Sequence, residues 1–301
     1  MSFLAKRAVV GWGLETTYGV EAAVSQYVLA FDVDVKPEGD VEERDVQVAS
    51  LSKLPHIIGA KWQSASFKVR IKGNGSEIDG LLQACLMAKT DTTTSYDYEP
   101  ATTGGKSVTL TIWKDGVKHV LTGARGSLDV TSEAGAPGVL SFTFQGLWND
   151  PVDAALPTAS YVSEEPPVCQ SASFTMGGDS ISAQQLQIAL NNTISPRRDL
   201  NAANALAGFT ITDRSPNGSF NPEVVSLATK NFINEWKAGT DAALSITIGS
   251  ALGNKCIITA PKVRYESVAY GEREGILIYD IPFRLYMSSG DDELKISFPY
   301  A

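Results

Sequence analysis

Gly138-Val139-Leu140-Ser141-Phe142-Thr143-Phe144 alternates apolar with small polar residues. Gly275-Ile276-Leu277-Ile278-Tyr279-Asp280-Ile281 follows it 137 residues later (275 − 138). The same spacing separates Val120 from Ile257 and Thr122 from Thr259, while Val108 precedes Leu244 by 136 (244 − 108). Alternation with period 2 marks a strand with one buried face. A constant spacing across several such strands marks a repeated unit. The chain therefore reads as a tandem duplication of one mostly-β unit.

Outward from these strands, each unit carries the same accessories. In the first, Phe67-Lys68-Val69-Arg70-Ile71 alternates, Gly73-Asn74-Gly75 turns, and a helix follows. Its expected N-cap is Ser76, and Ile78, Leu81, Leu82, Cys85 and Leu86 fall on one face. In the second, Phe209-Thr210-Ile211-Thr212 is the strand and Pro216-Asn217-Gly218 the turn. There Asn221 and Pro222 predict the N-cap and first position of a helix holding Val225, Leu227, Ala228, Phe232 and Trp236. Turn signals recur at about the 8–12-residue spacing of sandwiches and barrels. The expected class is mainly β (α+β): two tandem sandwich or barrel-like domains, each with one flanking helix.

Asp150-Pro151 to Pro166-Pro167 holds four prolines among Ala, Ser and Glu, and prolines remove backbone donors and restrict the residue before them. It is the expected linker (151–167) between a first domain at 1–150 and a second at 168–301. Residues 31–61 crowd Asp32, Asp34, Glu38, Asp40, Glu42, Glu43 and Asp45 among valines, which predicts a charged hairpin arm with a mobile tip near Ala49–Ile58. Residues 1–27 are the candidate N-terminal arm.

Of 301 residues, 43% are hydrophobic and 20% charged, which is the composition of a globular chain. The formal charge is −9, against a basic nucleic-acid reader. It is shared evenly: 14 Lys+Arg against 18 Asp+Glu in residues 1–150, and 11 against 16 in the rest. Three distant cysteines, Cys85, Cys169 and Cys256, form no C-x-x-C pair and read as reduced, buried thiols. Ala8-Val9-Val10 is too short for a signal-peptide core, and no apolar run reaches the ~20 residues of a membrane helix.

Chemistry-bearing motifs fail one by one. Gly104-Gly105-Lys106-Ser107 resembles the end of a phosphate loop, but Pro100 stands where the motif needs its first glycine, and a strand rather than a helix follows. Gly11-Trp12-Gly13 has Thr16 where a dinucleotide loop needs glycine. Asp32 and Asp34, two apart on a strand, share a face, yet lack a calcium loop and read as a solvated face. His56 and His119 have no ligand neighbours in sequence. Arg197, Arg198, Arg214, Arg264 and Arg273 read as ion-pair partners across an interface. No catalytic, cofactor or metal site is expected.

Trp12-Gly13-Leu14-Glu15-Thr16-Thr17-Tyr18-Gly19-Val20 resembles the N-terminal E-T-T-Y-G signature of major tail tube proteins of long-tailed (siphovirus-type) bacteriophages. The likeness continues at Phe174–Gly178, at Leu190-Asn191-Asn192 with Arg197-Arg198-Asp199, at Ile211–Arg214, at Gly218-Ser219 and at Gly275–Phe283. It implies a structural virion protein, made in the host cytoplasm, whose β-sandwich or half-barrel subunits stack as rings around a channel for double-stranded DNA. DNA passes without specific binding, and no membrane is involved. Tape measure, tail terminator and distal tail proteins are the implied partners. Most family members carry one domain and form hexamers. A duplicated chain implies trimeric, pseudo-hexameric rings, with a plain hexamer as the alternative. Candidate contacts between subunits and rings are Trp12, Tyr18, Leu51, Leu54, Pro55, Ile57, Ile58, Arg197 and Arg198. Two other classes stand beside this one: the tube protein of a contractile injection or secretion system, and an adhesin or carbohydrate-binding β-sandwich.

Overall fold

The computed structural model describes residues 4–301, so the first three residues of the expected arm 1–27 lie outside it. The chain is mainly β, as its alternation predicts, and every strand pairing is antiparallel. The first half runs β1 (Ala8–Leu14), β2 (Gln26–Val28), β3 (Ala30–Glu42) and β4 (Ile57–Arg70). A turn of 3-10 helix at Ser76–Ile78 then leads into α1 (Asp79–Ala84). It continues with β5 (Met87–Asp91), β6 (Ser95–Pro100), β7 (Val108–Lys114), β8 (Val117–Glu133), β9 (Val139–Leu147) and β10 (Val152–Asp153).

The second half comprises β11 (Thr175–Met176), β12 (Asp179–Ser180), β13 (Ala183–Ala189), β14 (Asn192–Arg198), β15 (Leu206–Arg214) and β16 (Asn217–Pro222). After α2 (Phe232–Ala238) come β17 (Ala242–Ile248), β18 (Cys256–Tyr265), β19 (Ala269–Arg273), β20 (Ile276–Tyr286) and β21 (Lys295–Pro299).

Both halves pair their strands in one order. In the first, neighbours run β3-β4-β9-β8-β7-β1. In the second they run β13-β16-β20-β18-β17-β11. Each helix follows the second strand of its series. The irregularities coincide too. A register shift lies between Phe31 and Asp34 in β3 and between Ala183 and Leu186 in β13. Another lies between Val108 and Leu110 in β7 and between Ala242 and Leu244 in β17.

This register corrects the spacing read from sequence. Leu110 faces Leu121 and Leu244 faces Ala260, so Leu121 answers to Ala260, 139 residues on (260 − 121) rather than 137. The slip is two residues because a period-2 pattern matches itself after every shift of two. The strand matching β4 is likewise β16, in which Phe220 faces Ile281 as Phe67 faces Phe142. It is not Phe209–Thr212, which belongs to a separate two-stranded hairpin with β14.

The helices differ from expectation at their starts. Before α1, Asn74 Oδ1 accepts from Ser76 N at 3.0 Å and Ser76 Oγ at 2.9 Å, so the loop is closed from Asn74. The expected face is otherwise right: Ile78, Leu81, Leu82 and Cys85 are buried. Asn221 and Pro222 start no helix. Asn221 Oδ1 accepts from Gln184 N and Gln185 N, which supports the bulged edge of β13. The capping chemistry recurs ten residues later, where Asn231 Oδ1 accepts from Asn234 N at 2.8 Å and α2 begins.

One hydrophobic core runs through both halves, from Val10 and Trp12 to Ile296 and Phe298. Phe67 stacks against Phe144 at 6.0 Å and lies 5.7 Å from Phe142. Phe220 meets Phe232, Tyr265 and Phe283 at 5.9 Å. Phe67→Ala is expected to cost about 3–5 kcal/mol, since a close-packed centre relaxes only partly around a void; urea unfolding followed by circular dichroism checks it.

The proline-rich stretch holds no strand after Val152–Asp153. It is pinned where Lys72 Nζ donates to Val162 O at 3.0 Å and Asn254 Nδ2 to Glu165 O. Lys72 is itself buried against Glu77 at 3.3 Å; burial pushes the Glu77 carboxyl above its ordinary value despite that ammonium.

Near the C-terminus Asp292 accepts from Ser289 Oγ and from the backbone N–H groups of Ser288, Ser289 and Gly290, which holds its pKa down at about 2. A depressed carboxyl stabilises the fold above its unfolded pKa and loses that effect as pH falls through 2. Asp292→Ala should therefore lower Tm at pH 7, and the difference from wild type should close between pH 4 and pH 2.

Candidate assembly surfaces

The Glu15-to-Gly19 segment is a fastening within the chain. Glu15 is buried and accepts four hydrogen bonds: from Ser107 Oγ at 2.7 Å, Thr109 Oγ1 at 2.8 Å, Gly123 N at 2.7 Å and Gly19 N at 2.9 Å. The Tyr18 hydroxyl donates to Gly123 O at 3.0 Å and accepts from Phe209 N at 2.6 Å, joining β8 to β15. Burial raises the Tyr18 pKa. Gly208 has φ +143°, and a Cβ there would lie 2.3 Å from the Tyr18 ring, so glycine is required. Ser107, which ends the phosphate-loop-like run, serves this knot and leads straight into β7.

Residues 1–27 are consequently not a free arm over their described part. β1 lies between β2 and β7, and Trp12 is buried with its Nε1 donating to Glu77 O at 2.7 Å. Trp12 is a core residue rather than a surface one. The family likeness places it in a contact arm, whereas its strand is a central one.

The arm expected at 31–61 is present as the β3–β4 hairpin, joined through residues 43–56. Leu51 is fully exposed, Ile57 and Ile58 are 52% and 55% exposed, and Leu54 and Pro55 also face solvent. Asp32 and Asp34 do not share a face in the simple sense: the register shift between Phe31 and Asp34 and a left-handed Asp32 (φ 53°) break the alternation. Asp32 pairs with Lys68 at 3.0 Å, and Asp34 with Lys36 at 2.9 Å.

A second arm, unforeseen in the sequence, is the β14–β15 hairpin. Asn191, in the left-handed region (φ 49°), turns the chain out of β13, and Asn192 Nδ2 donates to Cys85 O and Gly126 O. The Leu190-Asn191-Asn192 run is thus the root of this arm. Leu206 and Phe209 are buried with Ala60, flanked by Trp62, Leu147 and Ile194. Arg198 reaches Asp40 of the first arm at 2.6 Å, and Arg197 is exposed beside it.

The other arginines have partners within the chain: Arg214 with Asp291 and Glu293, Arg264 with Asp241, and Arg273 with Glu223. All three cysteines are buried and unpaired. His119 sits below its ordinary pKa through burial and the nearby Lys114. Among the described residues, no three His, Cys, Asp or Glu side chains converge as a metal would require, and no helix is long and apolar enough to cross a membrane.

Two hairpin arms, exposed apolar residues on one of them and, among the described residues, the edges of β3 and β19 with one partner strand each are features that an assembly would cover. The sequence profile of the phage tail tube protein family matches residues 5–285, and the chain belongs to that family. It is a structural protein of the virion tail, which assembles into a tube with other tail proteins. No curated protein matches the chain.

Proposed function

We propose that this chain is a duplicated tail tube subunit, divided at residues 151–167, of which three copies close a ring of six alternating units. Rings stack into a tube through which double-stranded DNA leaves the virion. The observation that carries this reading is the repeated pairing order with its coincident register shifts. Two like units laid side by side in one chain already form a third of such a ring. A heterologous contact that repeats with a rotation closes into a ring.

Acidity fits the passage of DNA. Phosphates are held by lysine and arginine, whereas this chain has 25 basic against 34 acidic residues and ties many of the former into internal ion pairs. Assembled tubes should leave a linear duplex unshifted on a native gel, even at low salt. The arm 31–61, with Leu51, Leu54, Pro55, Ile57 and Ile58, makes the contact with the next ring or subunit.

Mass photometry at rising concentration tests the ring. Particles of three times 32.2 kDa are expected. Six-chain particles with no three-chain species at any concentration would replace the trimer with the ordinary hexamer.

A further inference from the structure

The join between the two halves specifies the join between chains. Strand β13 of the second half pairs with the C-terminal end of β8, with Gln185 opposite Glu133 and Ala189 opposite Asp129. Each half has its own version of both edges. On one side, β3 matches β13 by its partner strand and its register shift.

On the other side, Asp129 and Val130 of β8 face Ser141 and Leu140 of β9, and Ala269 and Tyr270 of β19 face Asp280 and Tyr279 of β20. Because Phe144 and Phe283 hold the same place in their series, Ser141 answers to Asp280, and β19 is the match of Asp129–Glu133. Among the described residues, β3 pairs only with β4, and β19 only with β20. The chain thus uses one copy of this seam internally and leaves its two halves open at opposite ends.

We propose that Asp32–Lys36 of one copy adds as an antiparallel strand to Ala269–Arg273 of the next, with Lys36 opposite Ala269 and Asp32 opposite Arg273. Opposite charges then meet at one end of the seam. The arms follow the same rule. The second arm covers Leu147 through Leu206 and Phe209. The position matching Leu147 is Tyr286, which is 46% exposed together with the adjacent Met287. The first arm, carrying exposed Ile57 and Ile58, covers them in the neighbouring copy. This seam rests on the tube reading and specifies its contact.

Cysteine trapping tests it. Directly opposed residues of an antiparallel pair have Cβ atoms about 4.5–5.5 Å apart, near disulfide reach, and the native cysteines are buried. Lys36→Cys with Ala269→Cys, assembled under reducing conditions and then oxidised, should run as covalent dimers and trimers on a non-reducing gel. Lys36→Cys with Glu274→Cys, out of register, should remain at one chain. Assemblies seen by negative stain that give no in-register cross-link overturn the seam alone. Failure of the wild-type chain to assemble overturns the tube reading beneath it. Amide exchange on the unsubstituted tube provides a second readout free of folding defects: residues 32–36 and 269–273 should gain protection at least tenfold over the monomer. Unchanged exchange at both edges overturns the proposal.

Discussion

Deleting residues 40–58 should abolish tube growth while leaving a folded monomer. The cut joins Gly39 to Gly59, and since Gly39 faces Lys61 across the hairpin, Gly59-Ala60 closes it as a two-residue turn. The segment removed holds Val41, Leu51, Leu54, Ile57 and Ile58, all exposed, so the monomer loses little burial. It also loses the Asp40–Arg198 pair, a solvent-exposed contact that water and salt screen and that therefore adds little to stability. Assembly loses far more. Each large aliphatic side chain, fully buried, contributes about 1.5–3 kcal/mol, and every subunit repeats the contact. Circular dichroism should show an unchanged β spectrum and a Tm within a few degrees of wild type, while negative stain shows no tubes. Tubes of normal ring spacing would remove the arm from the account.

Glu15→Ala should be the most damaging single substitution in the fastening. It leaves the Gly123 and Gly19 N–H groups and two hydroxyls without their acceptor. Hydrogen bonds to a charged group contribute about 1.5–3 kcal/mol each, and stranded buried donors add desolvation cost. A loss of about 3–5 kcal/mol is expected, with Tm lower by roughly 10 °C. Tyr18→Phe removes only the bridge from Gly123 O to Phe209 N and should cost about 1–2 kcal/mol. Calorimetry on the three proteins checks the order; equal Tm values for wild type and Glu15→Ala would show that water replaces the carboxylate without loss.

What the sequence disclosed and what it hid divide along physical lines. Alternation located β7, β8, β9, β17, β18 and β20, because a half-buried strand must alternate wherever it pairs. It could not distinguish a spacing of 137 from 139, since the pattern repeats every second residue. Phe209–Thr212 alternates like a core strand because it does bury one face, against Ala60 and Leu147 rather than in the main core. The Asn221-Pro222 pair carries valid helix-start chemistry, yet the bulged β13 claims the Asn221 side chain first. Trp12 and Tyr18 belong to the segment that carried the family likeness. They turn out to hold the chain together, whereas the arm residues Leu51 to Ile58 remain the exposed surface.

The most direct test of the account is electron microscopy of the purified protein at high concentration, with end-on class averages. Stacked rings of three chains are expected, with averages that show six like lobes alternating in two kinds. A particle that stays monomeric at every concentration and salt, or rings with six identical chains each contributing one lobe to the wall, would contradict it.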